Sequence, residues 1–425
     1  MPSLRGSLRL AGRVAALAAA VLTTAAAAAD DGVSFGAKTL RVATFNASLS
    51  PFSQGGLEAQ LADPADPQAR AIAEIIQRVD PDVLLINEFN FDENEGGESR
   101  ALALFMENFL EVPQNGAAPV RFDHVFLAPS NTGVPSGFDL DNDGSVGGGN
   151  DAFGFGAFPG HFGMVLLSKH PILEDRVRTF RRFLWKDMPG ALLPDDPATP
   201  APKDWYAAEE LEVFRLSSKS HWDVPVKVAG RAVHILASHP TPPVFDGPED
   251  RNGTRNHDEI RFWSDYVLPF RGRYIYDDEG RRGGLRFGRS FVVLGDLNAD
   301  PFDGDSTGSA ARQLLRNPLI ARQPVPASEG GAEAAALQGG ANDPHRGDPA
   351  FDTADFGDRA PSPGNLRVDY VLPSRFLRIK RAGVFWPTQA DPQAALVAAS
   401  DHRLVYVDVK LLPRFGFGRP DATAE

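Results

Sequence analysis

The chain has 425 residues, no cysteine, and 56 acidic against 43 basic side chains, a formal net charge of −13 at pH 7. The missing thiols exclude disulfide staples and thiolate metal sites, and the acidic balance opposes a polyanionic partner unless a local basic patch offsets it. The length is ample for a large hydrophobic core.

At the N-terminus Arg5, Arg9 and Arg13 precede an Ala-rich apolar run from Val14, and Ala27, Ala28 and Ala29 stand before Asp30. This is the pattern of a secretory signal over 1–29 with an A-x-A cleavage site; the alternative is a membrane anchor, and the small residues, the short apolar length and the acidic start that follows favour cleavage. Cleavage there removes three arginines and no acidic residue, taking −13 to −16. The mature chain is expected to be exported, periplasmic or extracellular, with no transmembrane segment, and to act as a monomer.

LRVATFN reads as an apolar strand that ends on Asn46. A helix-like stretch, Ala69 to Val79, leads into DVLLINE, which ends on Glu88 with no basic neighbour in sequence to pair it. An insertion rich in Gly, Asp and Phe runs from Pro129 to Gly160. Within it Asp139, Asp141 and Asp143 alternate before Gly144 and Val146, the opening of a calcium loop in which alternate carboxylates converge on one ion. Asn150 stands at the twelfth position in place of a bidentate glutamate, so the expectation is a solitary structural Ca²⁺ site, with a solvated acidic turn as the alternative.

A second insertion, rich in Pro and Asp, runs from Lys186 to Lys219. Phe153, Phe155, Phe158, Trp185 and Trp205 need burial and predict order in both insertions. WDVPVKV and RAVHILASH flank Ala229-Gly230 as a hairpin, which sets His239 opposite about His221 and brings SSKSH to the same edge. Lys219 and His221 are thereby candidate phosphate ligands, against a strand-edge lysine and a packed histidine. DRNGTRNHDEIRFW then leads into a helix, where Arg255 could clamp a phosphoryl oxygen or pair with Asp258 or Glu259.

In FVVLGDLNAD an apolar strand is followed by Asp296 and Asn298, two residues apart and so on one face of an extended chain, while Gly295 frees the backbone. A carboxylate and an amide so placed suit a hard cation or an activated water, and a turn cap is the competing use. Gln323 to Gly364 is low-complexity apart from AFDTADF and is expected to be largely disordered. RVDYVLPS carries Asp369 at the start of a strand. SDHRLVYVDV opens on Ser400, Asp401 and His402, then alternates Leu404, Tyr406 and Asp408 against Val405, Val407 and Val409. No run of Lys and Arg stands out: Arg176, Arg178, Arg181 and Arg182 alternate with apolar residues as on a solvated strand face.

Strand termini that repeatedly carry Asn, Asp, Glu or His argue that one edge of the sheets holds chemistry. In this order the residues resemble the endonuclease/exonuclease/phosphatase superfamily. Asn46 resembles its first-strand asparagine, Glu88 its metal-binding glutamate, His239 the histidine of its TxHL-like strand, and Asp296 with Asn298 its GDxN pair. Asp369 resembles the DY aspartate, and Asp401 with His402 the SDH terminus.

The resemblance runs from about Leu40 to about Leu412. It implies an α/β (α+β) fold, a four-layer sandwich of two stacked mixed β-sheets flanked by helices. The domain would cover 30–425 with insertions at about 129–160, 186–219 and 323–364. It further implies Mg²⁺ or Mn²⁺ held chiefly by Glu88, with Asn46 and Asp401 nearby. Asp296 would orient or deprotonate the attacking water, and Asn298 would hold it or a phosphate oxygen. His402, oriented by Asp369, and His239 would donate to the phosphoryl oxygens.

Two departures stand out. The glutamate strand ends Ile-Asn-Glu where Gln-Glu is commoner. His161 precedes GMVLLSKHPI where some nucleases carry a phosphate-contacting tyrosine, so it is either a replacement for that tyrosine or a loop histidine.

The expected activity is an exported metal-dependent phosphoesterase that hydrolyses a phosphomonoester or phosphodiester of a small or lipid-derived substrate. A secreted nuclease ranks behind it on charge, and nucleic acid is not the favoured partner. A non-catalytic phospho-ligand-binding module would need a ligand or base to be missing, and none is.

Overall fold

Apolar side chains alternate with period two along the predicted strands, and in a computed structural model describing residues 39–92 and 99–412 those strands form two stacked sheets. The described part of the chain opens with β1 (Thr39–Leu49), β2 (Val83–Phe89), β3 (His124–Phe126) and β4 (Met164–Ser168). β5 (Arg178–Thr179), β6 (His221–Val228), β7 (Arg231–Ser238) and β8 (Ser290–Asp296) follow. β9 (Ala354–Asp355) and β10 (Asn365–Leu366) make a small ribbon, and β11 (Asp369–Pro373), β12 (Leu377–Val384) and β13 (Val405–Leu411) complete the set. The first sheet has the order β12-β13-β1-β2-β4-β3 and the second β11-β8-β7-β6-β5. β1 and β2 pair in parallel, as do β7 and β8, while the other pairs are antiparallel, so both sheets are mixed.

The alternation decides which side chains meet. Leu40, Val42, Val83, Leu85 and Leu166 of the first sheet pack on Trp222, Val224, Ile235, Val292 and Leu294 of the second. Their neighbours Ala43, Phe45 and Ala47 point the other way, onto α1 (Gly56–Leu61), α2 (Pro67–Val79) and α3 (Arg100–Phe105). On the far side α4 (Ala208–Leu211), α5 (Arg251–Val267) and α6 (Arg312–Leu315) cover the outer face of the second sheet. The result is helix, sheet, sheet, helix, the four layers expected. α2 shows how local sequence sets an element: Ile72, Ile75, Ile76 and Val79 are buried at helical spacing, Pro67 opens the first turn, and the Asp66 carboxylate accepts from Ala69 N at 2.8 Å. A cap of this kind stabilises a helix by about 1 kcal/mol.

The hairpin forms as expected, with Ala229 at φ 48° and Gly230 at φ 75° between paired Val228 and Arg231, the left-handed pair a two-residue turn requires. Its register sets His221 opposite Ser238, one residue short of His239.

The first two insertions bury Phe153 and Trp185, leave Phe158 and Trp205 half-buried, and expose Phe155, against the burial expected of its ring. Asn131 Nδ2 of the first donates to Arg181 O at 2.8 Å and to Ser217 O of the second at 2.7 Å. The third insertion departs from expectation. Instead of disorder it forms α7 (Glu329–Gln338), capped by Ser328 Oγ on Gly331 N at 3.1 Å, and the β9–β10 ribbon. Its backbone is paired with the segment before β13: Asp355 N donates to Asp401 O at 2.8 Å and Arg403 N to Thr353 O at 2.7 Å. Composition missed this because the ordering bonds are made by main chain, which composition does not report.

Among the described residues no helix is long and apolar enough to cross a membrane. The signal-like segment 1–29 lies outside them.

Candidate active site

The C-terminal ends of β1, β2, β7 and β8 and the start of β11 share one edge. Gly295, at φ 142°, makes the approach possible, because a Cβ there would meet Ser238 O at 1.9 Å. Antiparallel pairing then places Asp369 directly opposite Asp296. Asp296 Oδ2 accepts from Asn46 Nδ2 at 3.1 Å and stands 3.4 Å from His239 Nε2 and 3.7 Å from His402 Nε2. Its Oδ1 accepts from Asn298 N at 2.8 Å, and Asn298 Nδ2 donates to Pro240 O at 3.1 Å, next to His239. Asn46 Nδ2 also donates to Glu88 Oε1 at 3.0 Å, and Ser50 Oγ donates to Glu88 Oε2 at 3.1 Å. Glu88 at φ 55° and Asn298 at φ 51° hold left-handed backbone without being glycine, a cost of roughly 1 kcal/mol or more each that tends to collect where side chains must be aimed.

The charges are arranged as well as the atoms. Burial works to raise Asp296, but the His402 charge and His239 outweigh it and hold the carboxyl well below its usual range. Burial works to lower His402, and the carboxylates of Asp369 and Asp296 overcome it, lifting the imidazole to about 10. Its Nδ1–H donates to Asp369 Oδ2 at 2.8 Å, and burial pushes Asp369 up to about 6 against the pull of that same imidazole. At neutral pH His402 is therefore an imidazolium fixed by Asp369 and aimed at Asp296. His239 is lowered, by burial and then by the Lys219 charge, and so serves as a neutral partner; its Nδ1 is buried with no partner among the described residues. A carboxylate held ionised between a cationic and a neutral imidazole can orient and deprotonate a water while the imidazoles face anionic oxygens.

Of the residues singled out from sequence, Asn46, Glu88, His239, Asp296, Asn298, Asp369 and His402 converge here. Asp401 sits at the exposed rim, its carboxylate accepting from Ser48 Oγ at 3.2 Å. Lys219 is buried nearby with Nζ 3.4 Å from Pro240 O; burial lowers its pKa, opposed by Glu259, Glu88 and Asp296.

Three candidates are corrected. His161 uses both ring nitrogens on main chain, Nδ1 accepting from Ala157 N at 3.1 Å and Nε2 donating to Ser50 O at 3.2 Å, so it buttresses the Ser50 turn instead of facing a phosphate. His221 lies on the helix-covered face, because residues paired across strands share a face and its mate is Ser238. There Ser217 Oγ lies 2.5 Å from its Nδ1, its Nε2 donates to Glu259 O at 2.9 Å, and burial pulls it down to about 4. Arg255 is buried with Nε on Leu216 O and Nη2 on the carbonyls of Phe153 and Arg215, which ties the insertions to α5 and makes the guanidinium a main-chain clamp.

One residue was missed. Glu259 on α5 is buried and accepts from Ser218 N at 2.7 Å, Ser218 Oγ at 3.0 Å and Thr241 N at 2.7 Å, holding the loops that carry Lys219 and His239. Its signal is an acid at helical spacing within the stripe Asn256, Glu259, Ile260, Trp263.

A divalent cation can be tested against the donors. Glu88 Oε1 and Asp296 Oδ2 both accept from Asn46 Nδ2, so two anionic oxygens flank one amide, with the Ser50 hydroxyl beside them and no thiol in the chain. That donor set fits a hard, oxygen-seeking ion such as Mg²⁺ or Mn²⁺. In the first insertion, Asp139, Asp141 and Asp143 bring one carboxylate oxygen each within 4.8 Å of one another.

Among solved structures, the chain is similar to an endonuclease/exonuclease/phosphatase from Beutenbergia cavernae DSM 12333, at 18% identity and TM-score 0.47 over 88% of this chain and 72% of that one. It is similar to sphingomyelinase C from Streptomyces griseocarneus at 16% identity and TM-score 0.43, over 87% and 99%. It is also similar to the human Nocturnin catalytic domain, at 14% identity and TM-score 0.42 over 88% and 95%. These are likenesses of fold alone. No curated protein matches the chain significantly. The family described as Endonuclease/Exonuclease/phosphatase matches residues 43–402, a span that contains every residue of the cluster above. The chain therefore belongs to the endonuclease/exonuclease/phosphatase family, whose members are generally hydrolases of phosphoester bonds.

Proposed function

We propose that the protein is an exported, divalent-metal-dependent phosphoesterase whose substrate is a small or lipid-derived phosphoester. The observation that carries the reaction is Asp296, an ionised buried carboxylate held at once by Asn46, His239 and His402. Water attacks phosphorus and the ester P–O bond breaks. Asp296 orients that water and is placed to take its proton, with Asn298 fixing the carboxylate from below. His402, kept cationic and oriented by Asp369, donates to a phosphoryl oxygen as negative charge grows there, and His239 does so as a neutral donor. Glu88, with Asn46, would hold Mg²⁺ or Mn²⁺, which when bound polarises the phosphoryl group and offsets charge on the leaving oxygen.

The substrate class is supported by the rim. Phe52 is 66% exposed on the turn after Ser50 and Phe155 is 53% exposed on the first insertion, both against Phe162 at 5.8 and 6.4 Å. An apolar rim suits an apolar or lipid-like substituent, whereas a duplex asks for basic walls. Lys219, buried by the carboxylates, would meet a single phosphate without a basic surface. The comparison that tests this is kcat/KM for a small phosphoester, a phospholipid and plasmid DNA under the same low-salt, Mg²⁺-containing conditions. Turnover of either ester should exceed that of DNA; efficient DNA cleavage with negligible ester turnover would promote the nuclease reading.

The proposal includes a structural Ca²⁺ at Asp139, Asp141 and Asp143, supported by the convergence of their carboxylates. An ion bound only by the folded state adds roughly 3 kcal/mol at a hundred times its Kd. Calcium should raise Tm by several degrees in the parent and not in an Asp141→Ala, Asp143→Ala variant; equal shifts in both would refute the site.

A further inference from the structure

Folding gathers six arginines of this acidic chain, Arg176, Arg178, Arg281, Arg282, Arg286 and Arg289, around one cavity of about 320 Å³. Ala232 and His234 of β7 form its floor, on the face of the second sheet turned away from the first. Four of the arginines lie in the segment 281–289, which enters β8 at the end opposite Asp296, one strand length or about 20 Å away. The catalytic cluster does not share this cavity.

Carboxylates answer only part of the charge. Buried Asp277 takes Arg178 at 2.7 Å and Arg281 at 2.8 Å, Glu279 stands 3.4 Å from Arg281, and Asp175 3.7 Å from Arg176. Asp223 takes His234 Nδ1 and the Tyr266 hydroxyl, each at 2.7 Å. Arg178 also donates to Gly283 O at 2.8 Å and Arg281 O at 2.7 Å, so the inner guanidinium fixes the loop that carries the outer ones. Those outer groups are differently placed. Arg282 is exposed over the Tyr276 ring at 5.4 Å, and Arg286 is exposed with no carboxylate partner among the described residues. Like charges crowded on a rigid wall repel one another, and an anion with several oxygens relieves that repulsion while accepting paired N–H bonds from each guanidinium. The volume is that of a small-molecule site.

We propose that this cavity binds a compact anion bearing two or more phosphoryl groups, independently of the catalytic edge. The test is calorimetric titration of the full chain with pyrophosphate in EDTA, at fixed moderate salt. Four proteins are compared: the parent, Arg282→Ala/Arg286→Ala, Arg286→Gln and Asp296→Asn. The alanine pair should weaken binding at least tenfold, with Tm and phosphoester turnover close to the parent, and Asp296→Asn should bind as the parent does. Arg286→Gln removes an exposed group with no carboxylate partner to lose, so it stays folded even if the pair does not, and threefold or greater weakening is expected from it. Parent-like affinity in Arg286→Gln and the alanine pair would overturn the site. So would loss of binding in Asp296→Asn, which would place the anion at the catalytic edge. Binding of plasmid DNA without binding of pyrophosphate would also overturn it, by showing a surface for long polyanions.

Discussion

Asp296→Asn is expected to lower kcat by about a hundredfold or more, with KM for a small phosphoester changed far less. The amide nearly matches the carboxylate in shape, so the contact to Asn298 N can persist and the buried site need not collapse. What disappears is the charge that receives a proton from water and that, with Asp369, keeps His402 cationic. His402→Ala should produce a loss of similar order by a different route, because the donor facing the phosphoryl oxygen is gone while Asp296 remains. The two effects should also fail to add, since each residue sets the charge state of the other. Single-turnover rates, steady-state constants and Tm for both variants and the double variant decide the matter. Near-parental kcat in both single variants would mean that this edge is not the reaction centre.

Exhaustive chelation is expected to reduce turnover to background, and Mg²⁺ or Mn²⁺ to restore it. The reason lies in the donors: Glu88 and Asp296 set two anionic oxygens on the one Asn46 amide. The Asn46 amide offers these carboxylates hydrogen bonds and no charge, and a divalent ion bound beside them supplies the charge they lack. Glu88→Gln removes one of the charges without shortening the side chain, so half-maximal activation should require at least tenfold more metal, whereas the same variant at saturating metal should recover part of its kcat. Metal binding followed by calorimetry gives a readout that does not rely on turnover. If activity survives chelation undiminished and calorimetry detects no ion bound by the parent, the metal-dependent reading is wrong.

Much of this site is legible in the linear chain. Each apolar run stops on a polar residue that has no local reason to be there: Asn46 after LRVATF, Glu88 after DVLLIN, Asp296 after FVVLG. Their alternation also assigns faces, as with Val405, Val407 and Val409 in the inter-sheet core and Leu404 and Tyr406 on the helical side. Asp66 and Pro67 mark the start of α2, and Ala229-Gly230 marks the hairpin turn. All of these depend on interactions within a few residues, where periodicity and backbone preference act directly.

The remaining assignments depend on what each side chain meets after the sheets stack. A one-residue difference in hairpin register turns His221 from the catalytic edge into the layer beneath α5. Arg255 and His161 carry the right chemistry for a phosphate, yet the fold sets them on distant carbonyls and an Ala157 N–H. Glu259 looks like any helical acid until Ser218 and Thr241 close over it. The arginines of 176–178 and 281–289, about a hundred residues apart, become one basic cavity because Asp277 clamps members of both segments and Arg178 bonds the carbonyls of Arg281 and Gly283. The sequence by itself determines the strands, their faces and the types of group at their ends, because those follow from local geometry. Which of those groups remain free for a ligand is decided by tertiary structure alone, because a polar group's availability depends on partners that the fold brings from far along the chain.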